Sequence, residues 1–285
     1  MPDPALPLGV FDSGLGGLTV VHALLEALPE ERIVYLGDTA RVPYGTRSAE
    51  TVIRYAKSCA RVLTDRGIKA LVVACNTVSA VALDVLRAEL DLPVVGVVVP
   101  GASAAVTAAE AAARESAAPV KVGVLGTQGT IGSGAYPRAV SQISTRLEVV
   151  GQPAPLLVPL VEEGWLEGQV PELAVERYVA PLIDAGAGVI VLGCTHYPLL
   201  KATIERVAER VAGHAVPVVD SALATAHAVL ELVNERRIVP APPGPERSHA
   251  QRLELLVTDL PKSFATVASR FLGEAVVDVQ QIDLG

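Results

Sequence analysis

Residues Lys69 to Ala80, KALVVACNTVSA, contain an apolar run that ends on a cysteine. The run from Ala70 to Ala74 predicts a fully buried strand, because it is short, apolar and bounded by Gly67 before it and polar residues after it. Cys75 therefore lies where a parallel strand ends, which is where α/β proteins build their sites. A cysteine beside a buried strand is more often a small packing residue, so its function depends on what the rest of the chain contains.

The same pattern occurs a second time in GAGVIVLGCTHYPLL, residues Gly186 to Leu200. Gly186 precedes Cys194 by eight positions, as Gly67 precedes Cys75, and a β-branched run lies between glycine and thiol in both cases. Two further stretches, LGVFDSG from residue 8 and VGVLGTQG from residue 122, also resemble each other. The repetition predicts two related α/β units with one strand-end cysteine each.

Alternating strand and helix patterns extend over most of the chain. Strands are predicted near residues 7–12, 32–37, 69–74, 94–98, 120–126, 147–150, 188–193, 216–219 and 253–257. The strongest helical patterns cover residues 49–66, 78–90, 102–114, 171–185, 199–211 and 222–234. This order predicts an α/β protein with parallel sheets, and the length of 285 residues suggests about two domains.

The acidic balance of the chain disfavours nucleic acid and anionic membranes as its main partners. Lys and Arg number 23 and Asp and Glu 31, a net charge of −8, so a small solute is the expected ligand. Residues Leu92 to Ala109 are 18 positions without a charge, but Pro93 and the Pro100-Gly101 pair predict a strand, a turn and a helix instead of a membrane span. The N-terminus MPDPALPLGV resembles no signal or transit peptide, which predicts a cytoplasmic protein with free thiols.

A dinucleotide loop is one alternative to a two-thiol site. GLGG at Gly14 to Gly17 follows a predicted strand, and Asp38 lies about the right distance further on for a ribose contact. However, Thr19 replaces the third glycine of that fingerprint, and Asp12 would place a carboxylate beside the pyrophosphate. No P-loop motif occurs in the sequence.

A metal site and a cysteine hydrolase are two further alternatives. Cys75, Cys194, His196 and Asp12 could ligate zinc, yet no C-x-x-C or H-x-x-x-H pair supports such a site. A hydrolase would use Cys194 and His196 but leave Cys75 without a role. The third cysteine, Cys59, lies inside a predicted helix and is interpreted as a packing residue.

Two thiols on two related units fit a reaction that inverts a stereocentre. Inversion requires removal of a proton from one face of a carbon and delivery of a proton to the other face. The ordinary pKa of a thiol is about 8.5, and helix N-termini after the two cysteines are expected to favour the thiolate. One thiol can then take a proton while the other gives one.

Five motifs resemble the glutamate racemases of the cofactor-independent aspartate/glutamate racemase family. They are GVFDSGLGGLTV, YLGDTARVPYG, ACNTVSA, VPLVEEG and LGCTHYPLL, and they span Gly9 to Ser221, about three quarters of the chain. The resemblance implies two pseudo-symmetric parallel-sheet α/β lobes with the active site in the cleft between them. Residues 1–99 with 215–285 would form the first lobe, and residues 100–214 the second. The implied reaction interconverts L- and D-glutamate, supplying D-glutamate for peptidoglycan, without a cofactor or a metal.

The resemblance also implies roles for individual residues. Cys75 matches the thiol that takes the α-proton from D-glutamate, assisted by Asp12, and Cys194 the thiol that takes it from L-glutamate, assisted by His196. Glu162 matches a further carboxylate on the His196 side, although the adjacent Glu163 and an ordinary helix-start role stay open.

Substrate binding in the family uses hydroxyls, amides and backbone N–H groups. Helix N-termini and hydroxyl donors can hold two carboxylates without a basic cluster. Thr127 and Thr130 are additional candidates that could instead be helix N-caps. The matching positions are Asp12, Ser13, Tyr44, Gly45, Asn76, Thr77, Thr127, Thr130, Thr195 and His196.

Several expectations about function remain beside this one. Aspartate racemase is the closest alternative activity, and a solute-binding protein on the same fold is the non-enzyme alternative. The five lysines, predicted within helices or at strand starts, favour racemisation without pyridoxal phosphate. Because the first strand begins near Pro7, no peptidoglycan precursor is expected as activator. The resemblance allows a homodimer, since such racemases form dimers of differing geometry.

Overall fold

The computed structural model describes residues 3–116, 120–245, 247–276 and 278–284, which form two parallel β-sheets. The first sheet has the order β10-β9-β2-β1-β3-β4 and the second the order β6-β5-β7-β8. The strands of the first sheet are β1 (Leu8–Asp12), β2 (Ile33–Gly37), β3 (Ala70–Val73), β4 (Val94–Gly96), β9 (Leu253–Val257) and β10 (Gln280–Gln281). Those of the second are β5 (Lys121–Gly126), β6 (Val149–Pro153), β7 (Ala187–Gly193) and β8 (Val218–Asp220).

The two sheets repeat one strand order, which confirms the predicted duplication. The order β2-β1-β3-β4 in the first sheet matches β6-β5-β7-β8 in the second, and the pairs in both are parallel. In this correspondence β3, which precedes Cys75, is equivalent to β7, which precedes Cys194. The two cysteines therefore occupy equivalent strand ends on the two lobes.

Helices cover both faces of the sheets, so the central strands are buried on two sides and read as apolar runs. In chain order the helices are α1 (Leu18–Ala27), α2 (Ala49–Asp65), α3 (Asn76–Val81), α4 (Leu83–Glu89), α5 (Val98–Ser116), α6 (Gln128–Gly132), α7 (Ala135–Ile143), α8 (Leu157–Glu163), α9 (Gln169–Asp184), α10 (Lys201–Ala212), α11 (Ser221–Asn234), α12 (His249–Arg252) and α13 (Phe264–Leu272). Short 3₁₀ helices lie at Thr39–Arg41, Tyr44–Thr46 and Tyr197–Leu200.

Helix α2 illustrates how the sequence specifies these elements. The Ser48 hydroxyl accepts a hydrogen bond from the Thr51 N–H and caps the helix. A stripe of apolar residues with helical spacing, Val52, Ala56, Cys59, Ala60 and Leu63, is buried. Cys59 is thus a packing residue of this stripe, as predicted.

The helices that follow the fourth strand of each unit are exchanged between the lobes. After β4, helix α5 packs against β7 of the second sheet, and after β8, helix α11 packs against α1 of the first lobe. The predicted division of the chain differs from the structure at one place: the sequence predicts residues from 215 onward in the first lobe, whereas Val218–Asp220 pairs with β7 of the second sheet. The other boundaries of the two lobes stay a prediction.

Two predicted details of helices are corrected by the structure. Pro100 and Gly101 do not form a turn but lie in the first turn of α5, where the missing proline N–H removes no helical hydrogen bond. The single helix predicted over residues 78–90 is divided at Ala82 into α3 and α4. Among the described residues, no helix is both long and apolar enough to cross a membrane.

A buried ion pair ties the amino ends of the first-lobe strands to the chain around them. Lys69 Nζ lies 2.6 Å from Glu31 Oε2, and both side chains are almost fully buried. Lys69 also donates to the Pro4 carbonyl oxygen, and Glu31 Oε1 accepts from the Ala241 N–H. The pair thus connects the N-terminal segment and the segment after α11 to the amino ends of the strands in this lobe.

Removing one member of this pair is expected to destabilise the protein strongly. Lys69→Met leaves the Glu31 carboxylate buried without its counter-charge, and such a loss costs about 3–5 kcal/mol of unfolding free energy. The matched control is Lys57→Met, which breaks the pair of Lys57 with Glu89 on an exposed surface and should cost less than about 1 kcal/mol. Urea unfolding of both variants measures the difference, and equal losses would contradict the expectation.

Candidate active site

One cavity of about 380 Å³ lies between the two sheets. Its walls include residues that follow the carboxyl ends of β1, β3, β5 and β7, so both lobes contribute. Of the predicted site residues, the structure brings Ser13, Tyr44, Gly45, Cys75, Asn76, Thr77, Thr127, Glu162, Cys194, Thr195 and His196 to this wall. Asp12 and Thr130 do not line the cavity but are buried behind it.

Cys75 is the N-cap residue of α3, and its sulfur lies 3.4 Å from the Ser13 hydroxyl. Burial raises the pKa of the Cys75 thiol to about 12, with the nearby Asp12 carboxyl adding to the effect. The expectation that a helix N-terminus would favour the thiolate is therefore wrong for this residue, because the cost of burying a charge exceeds the stabilisation from one short helix. Cys75 is a protonated thiol at neutral pH.

Cys194 has an imidazole as its neighbour. His196 Nδ1 lies 3.9 Å from Cys194 Sγ, and His196 Nε2 lies 3.1 Å from Glu162 Oε1. Burial by itself disfavours the imidazolium, but hydrogen bonds to Cys194 and Glu162 outweigh it and raise the pKa of His196 to about 10. A positively charged ring at neutral pH therefore connects the thiol to the carboxylate.

The structure distinguishes Glu162 from its neighbour Glu163. Both side chains are exposed, but Glu162 contacts His196 and lines the cavity, whereas Glu163 does not belong to the cavity lining. Both residues lie in the last turn of α8, so the interpretation of Glu162 as a helix-start residue is not supported.

Asp12 is fully buried at the end of β1, behind the part of the cavity wall that contains Cys75. Its Oδ2 accepts hydrogen bonds from the Gly14 and Gly17 N–H groups, which fixes the carboxyl group. Burial raises the pKa of Asp12, and the charge of His196 opposes this shift. Oδ1 has no hydrogen-bond partner among the described residues, although it lies behind the cavity wall.

Three threonine hydroxyls join the two lobes at the cavity. Thr77 Oγ1 lies 2.9 Å from Thr127 Oγ1 and 3.3 Å from Thr130 Oγ1. Thr127 is also the N-cap of α6, because its hydroxyl accepts from the Thr130 N–H. Thr127 therefore both caps a helix and lines the cavity, whereas Thr130 supports it from behind.

The loop that carries Tyr44 and Gly45 is anchored by a buried carboxylate. Asp38 accepts hydrogen bonds from the Tyr44 hydroxyl, from Arg41 Nε at 2.6 Å and from the Thr258 hydroxyl at 2.9 Å. Both oxygens of Asp38 thus already accept hydrogen bonds from the protein, which disfavours the alternative in which Asp38 contacts the ribose of a dinucleotide. Its position shows that it holds a loop in place at the cavity.

The first-lobe loop after β1 packs closely on the second lobe. A Cβ on Gly16 would come within 2.3 Å of Thr195 Oγ1 and 2.5 Å of His196 Nδ1. In the first turn of α1, which follows this loop, the Thr19 hydroxyl lies 3.1 Å from the Thr195 carbonyl oxygen and donates to it. Gly16 is therefore required for the approach of the two lobes at the Cys194 wall.

Several supporting residues were not found by sequence reasoning. The Tyr136 hydroxyl lies 2.8 Å from Asn76 Oδ1, Thr19 contacts Thr195, and the ring of Phe271 packs on His196. Each of these contacts joins distant parts of the chain, so no local pattern signals them.

The predicted position of one lysine is wrong. Lys262 lies in a turn before α13 and not in a helix or at a strand start.

The fold and the site define a class of isomerases. Two lobes that repeat one four-strand order each present one cysteine to a common cavity. Among the described residues, no group of three His, Cys, Asp or Glu side chains is arranged to hold a metal ion. Two thiols that face one cavity from opposite lobes are suited to inverting a stereocentre, which needs proton removal from one face of a carbon and delivery to the other.

Comparison with known proteins agrees with that class. The sequence profile of the Asp/Glu/Hydantoin racemases matches residues 10–229. The glutamate racemase of Geobacter metallireducens is 47% identical over 281 residues, which cover 99% of this chain and 98% of that protein. The chain belongs to the Asp/Glu/Hydantoin racemase family.

Solved structures give the same result. The glutamate racemase of Francisella tularensis, determined in complex with D-glutamate, superposes with a TM-score of 0.86 at 32% identity and covers 99% of both chains. The aspartate racemase of Picrophilus torridus shares the fold, with a TM-score of 0.55 at 15% identity over 80% of this chain and 94% of that one.

Proposed function

We propose that this protein interconverts L- and D-glutamate by proton transfer at Cα between Cys75 and Cys194. The observation that carries the proposal is the placement of these two thiols at equivalent strand ends on opposite lobes, against one cavity. Its close relatives are glutamate racemases, and that of Francisella tularensis binds D-glutamate. The corresponding cellular role is to supply D-glutamate for peptidoglycan synthesis in the cytoplasm.

The two thiols have different surroundings in the free protein. The imidazolium of His196 lies beside the sulfur of Cys194, whereas Cys75 holds its proton. For L-glutamate, the Cys194 thiolate takes the α-proton and the Cys75 thiol delivers its proton to the opposite face of Cα. The product is D-glutamate, Cys194 ends as a thiol and Cys75 as a thiolate, and the reverse reaction starts from that state.

Unpartnered buried groups indicate how an amino acid would be held. Asn76 Nδ2, on the cavity wall, is an unpartnered donor suited to a carboxylate, and Asp12 Oδ1, behind that wall, is an unpartnered acceptor of the kind that suits an ammonium group. The hydroxyls of Ser13 and Thr77 and the N-terminus of α3 are further donors beside Cys75. Together these groups match an amino acid with two carboxylates. Thr127, Thr195 and Gly45 complete the proposed binding wall.

Racemisation of glutamate is the expected result of a direct assay. Circular dichroism should show both L- and D-glutamate converging on the racemate, and aspartate should turn over at least about 10-fold more slowly, because a pocket sized for one more methylene discriminates by that order. The control is the Cys75→Ala, Cys194→Ala double variant, which should leave both signals constant.

Other outcomes would favour the alternatives. Faster turnover of aspartate would support an aspartate racemase, whose solved example from Picrophilus torridus shares only the fold at 15% identity. Tight binding of one amino acid without turnover would support a solute-binding protein. Three predictions stay untested: that the protein forms a homodimer, that it needs no pyridoxal phosphate and that it needs no precursor activator. The lysine argument concerns pyridoxal phosphate, and none of the five lysines lines the cavity.

A further inference from the structure

The C-terminal helix α13 contacts the Cys194 side of the site, although it lies outside the segment that the family profile matches. Phe271, near the end of this helix, is buried against His196. The two ring centroids are 5.0 Å apart and the planes meet at 81°, an edge-to-face contact. Phe271 therefore restricts the orientation of the imidazole whose nitrogens face Cys194 and Glu162.

The preceding residue of α13 holds the other partner of His196. Arg270 Nη1 donates to the Glu162 carbonyl oxygen at 2.5 Å and to the Val161 carbonyl oxygen at 3.2 Å. These are carbonyl groups of the last turn of α8, where a cation also interacts favourably with the helix dipole.

Gly164 makes room for this contact. It ends α8 with a φ of +79°, and a Cβ there would lie 2.7 Å from Arg270 Nη2. The guanidinium thus lies directly on the end of α8 and fixes the turn that carries Glu162.

We infer that Phe271 and Arg270 are positioning residues for proton transfer at Cys194. Phe271 holds the His196 ring, and Arg270 holds the helix end that presents Glu162 to it. Neither contact involves Cys75 or Asp12, so their loss should act on one of the two proton transfers. The inference rests on the proposed function, because it assigns these residues to one side of a two-thiol reaction.

Comparison of overall rates in the two directions cannot test this assignment. The two enantiomers have equal free energy, so a substitution changes kcat/KM by the same factor for both. Primary deuterium isotope effects can separate the steps, because each reports the proton transfer that removes the label. Cys194 removes the label from L-glutamate and Cys75 removes it from D-glutamate.

The decisive variant is Phe271→Leu, which removes the ring but keeps an apolar side chain. It should lower kcat/KM by about 10-fold in both directions, because a misplaced helper slows transfer at Cys194. The isotope effect on kcat/KM should rise for L-glutamate labelled at Cα and fall for labelled D-glutamate. His196→Asn provides the reference for the full one-sided pattern.

The matched control is Phe264→Leu, the same substitution at another buried phenylalanine of α13. It should lower thermal stability but leave both isotope effects at the wild-type values. Arg270→Met is an independent variant at a half-buried position that should shift the isotope effects in the same sense as Phe271→Leu, and Arg270→Lys should restore part of the change.

The outcomes separate this inference from the proposed function. Absence of racemisation by the wild-type protein would refute the function itself. Racemisation by the wild type with equal shifts of both isotope effects in Phe271→Leu and Arg270→Met would overturn the inference alone. A one-sided shift in Phe264→Leu as well would also overturn it, since the effect would then come from general loosening of the helix.

Discussion

Cys75→Ala and Cys194→Ala should each reduce racemisation by at least about 10³-fold in both directions. The reason is that every turnover uses both thiols, one to remove a proton and the other to deliver one. Alanine keeps the small apolar volume that both buried positions require, so the fold should persist. Circular dichroism measurements starting from each enantiomer provide the rates.

Cys59→Ala is the control for this prediction. Cys59 is also a buried thiol, but it belongs to the packing stripe of α2, and Arg41 Nη2 lies 3.7 Å from its sulfur. This variant should keep activity near the wild-type value. Near-normal rates in either Cys75→Ala or Cys194→Ala would refute the two-thiol mechanism.

Gly16→Ala should lower kcat/KM by about 10²-fold without unfolding the protein. The added methyl group would meet Thr195 Oγ1 at 2.3 Å and His196 Nδ1 at 2.5 Å. His196 cannot move aside easily, because Phe271, Glu162 and Cys194 contact its ring from other directions. Either the loop after β1 or the imidazole must shift, and both are parts of the site.

Gly132→Ala is the matched control for this loop substitution. A Cβ on Gly132 would have no heavy atom within 4 Å, and its backbone does not require glycine. This variant should racemise glutamate at the wild-type rate and have an unchanged melting temperature to within a few degrees. Wild-type kcat/KM in Gly16→Ala, measured beside it, would show that the two lobes are not packed as tightly as the structure indicates.

Local sequence patterns were sufficient to locate the two thiols. Each cysteine follows a β-branched run at a strand end, and the repeat of that pattern predicted two equivalent positions. The residues next to them in the chain, such as Asn76 and Thr195, then lie at the same cavity because the carboxyl ends of parallel strands share one edge.

The remaining differences have a common cause in tertiary structure. Burial of Cys75 raises its pKa to about 12, and no local pattern measures how deeply a helix N-terminus is enclosed. The pairing of β8 with β7 and the contact of Phe271 with His196 both depend on where distant segments come together. Pro100 was assigned to a turn because proline usually ends a helix, although the first turn tolerates it.

The contacts that anchor the Tyr44 loop affect which of the two sheets can be completed first during synthesis. Asp38 accepts a hydrogen bond from Thr258, a residue 220 positions later, and β9 pairs with β2 beside it. The strands of the second sheet, by contrast, all lie between residues 121 and 220. A growing chain can therefore assemble the second sheet while the first still lacks β9 and β10 on one side. The Tyr44 loop acquires this support only after the segment that contains Thr258 has left the ribosome.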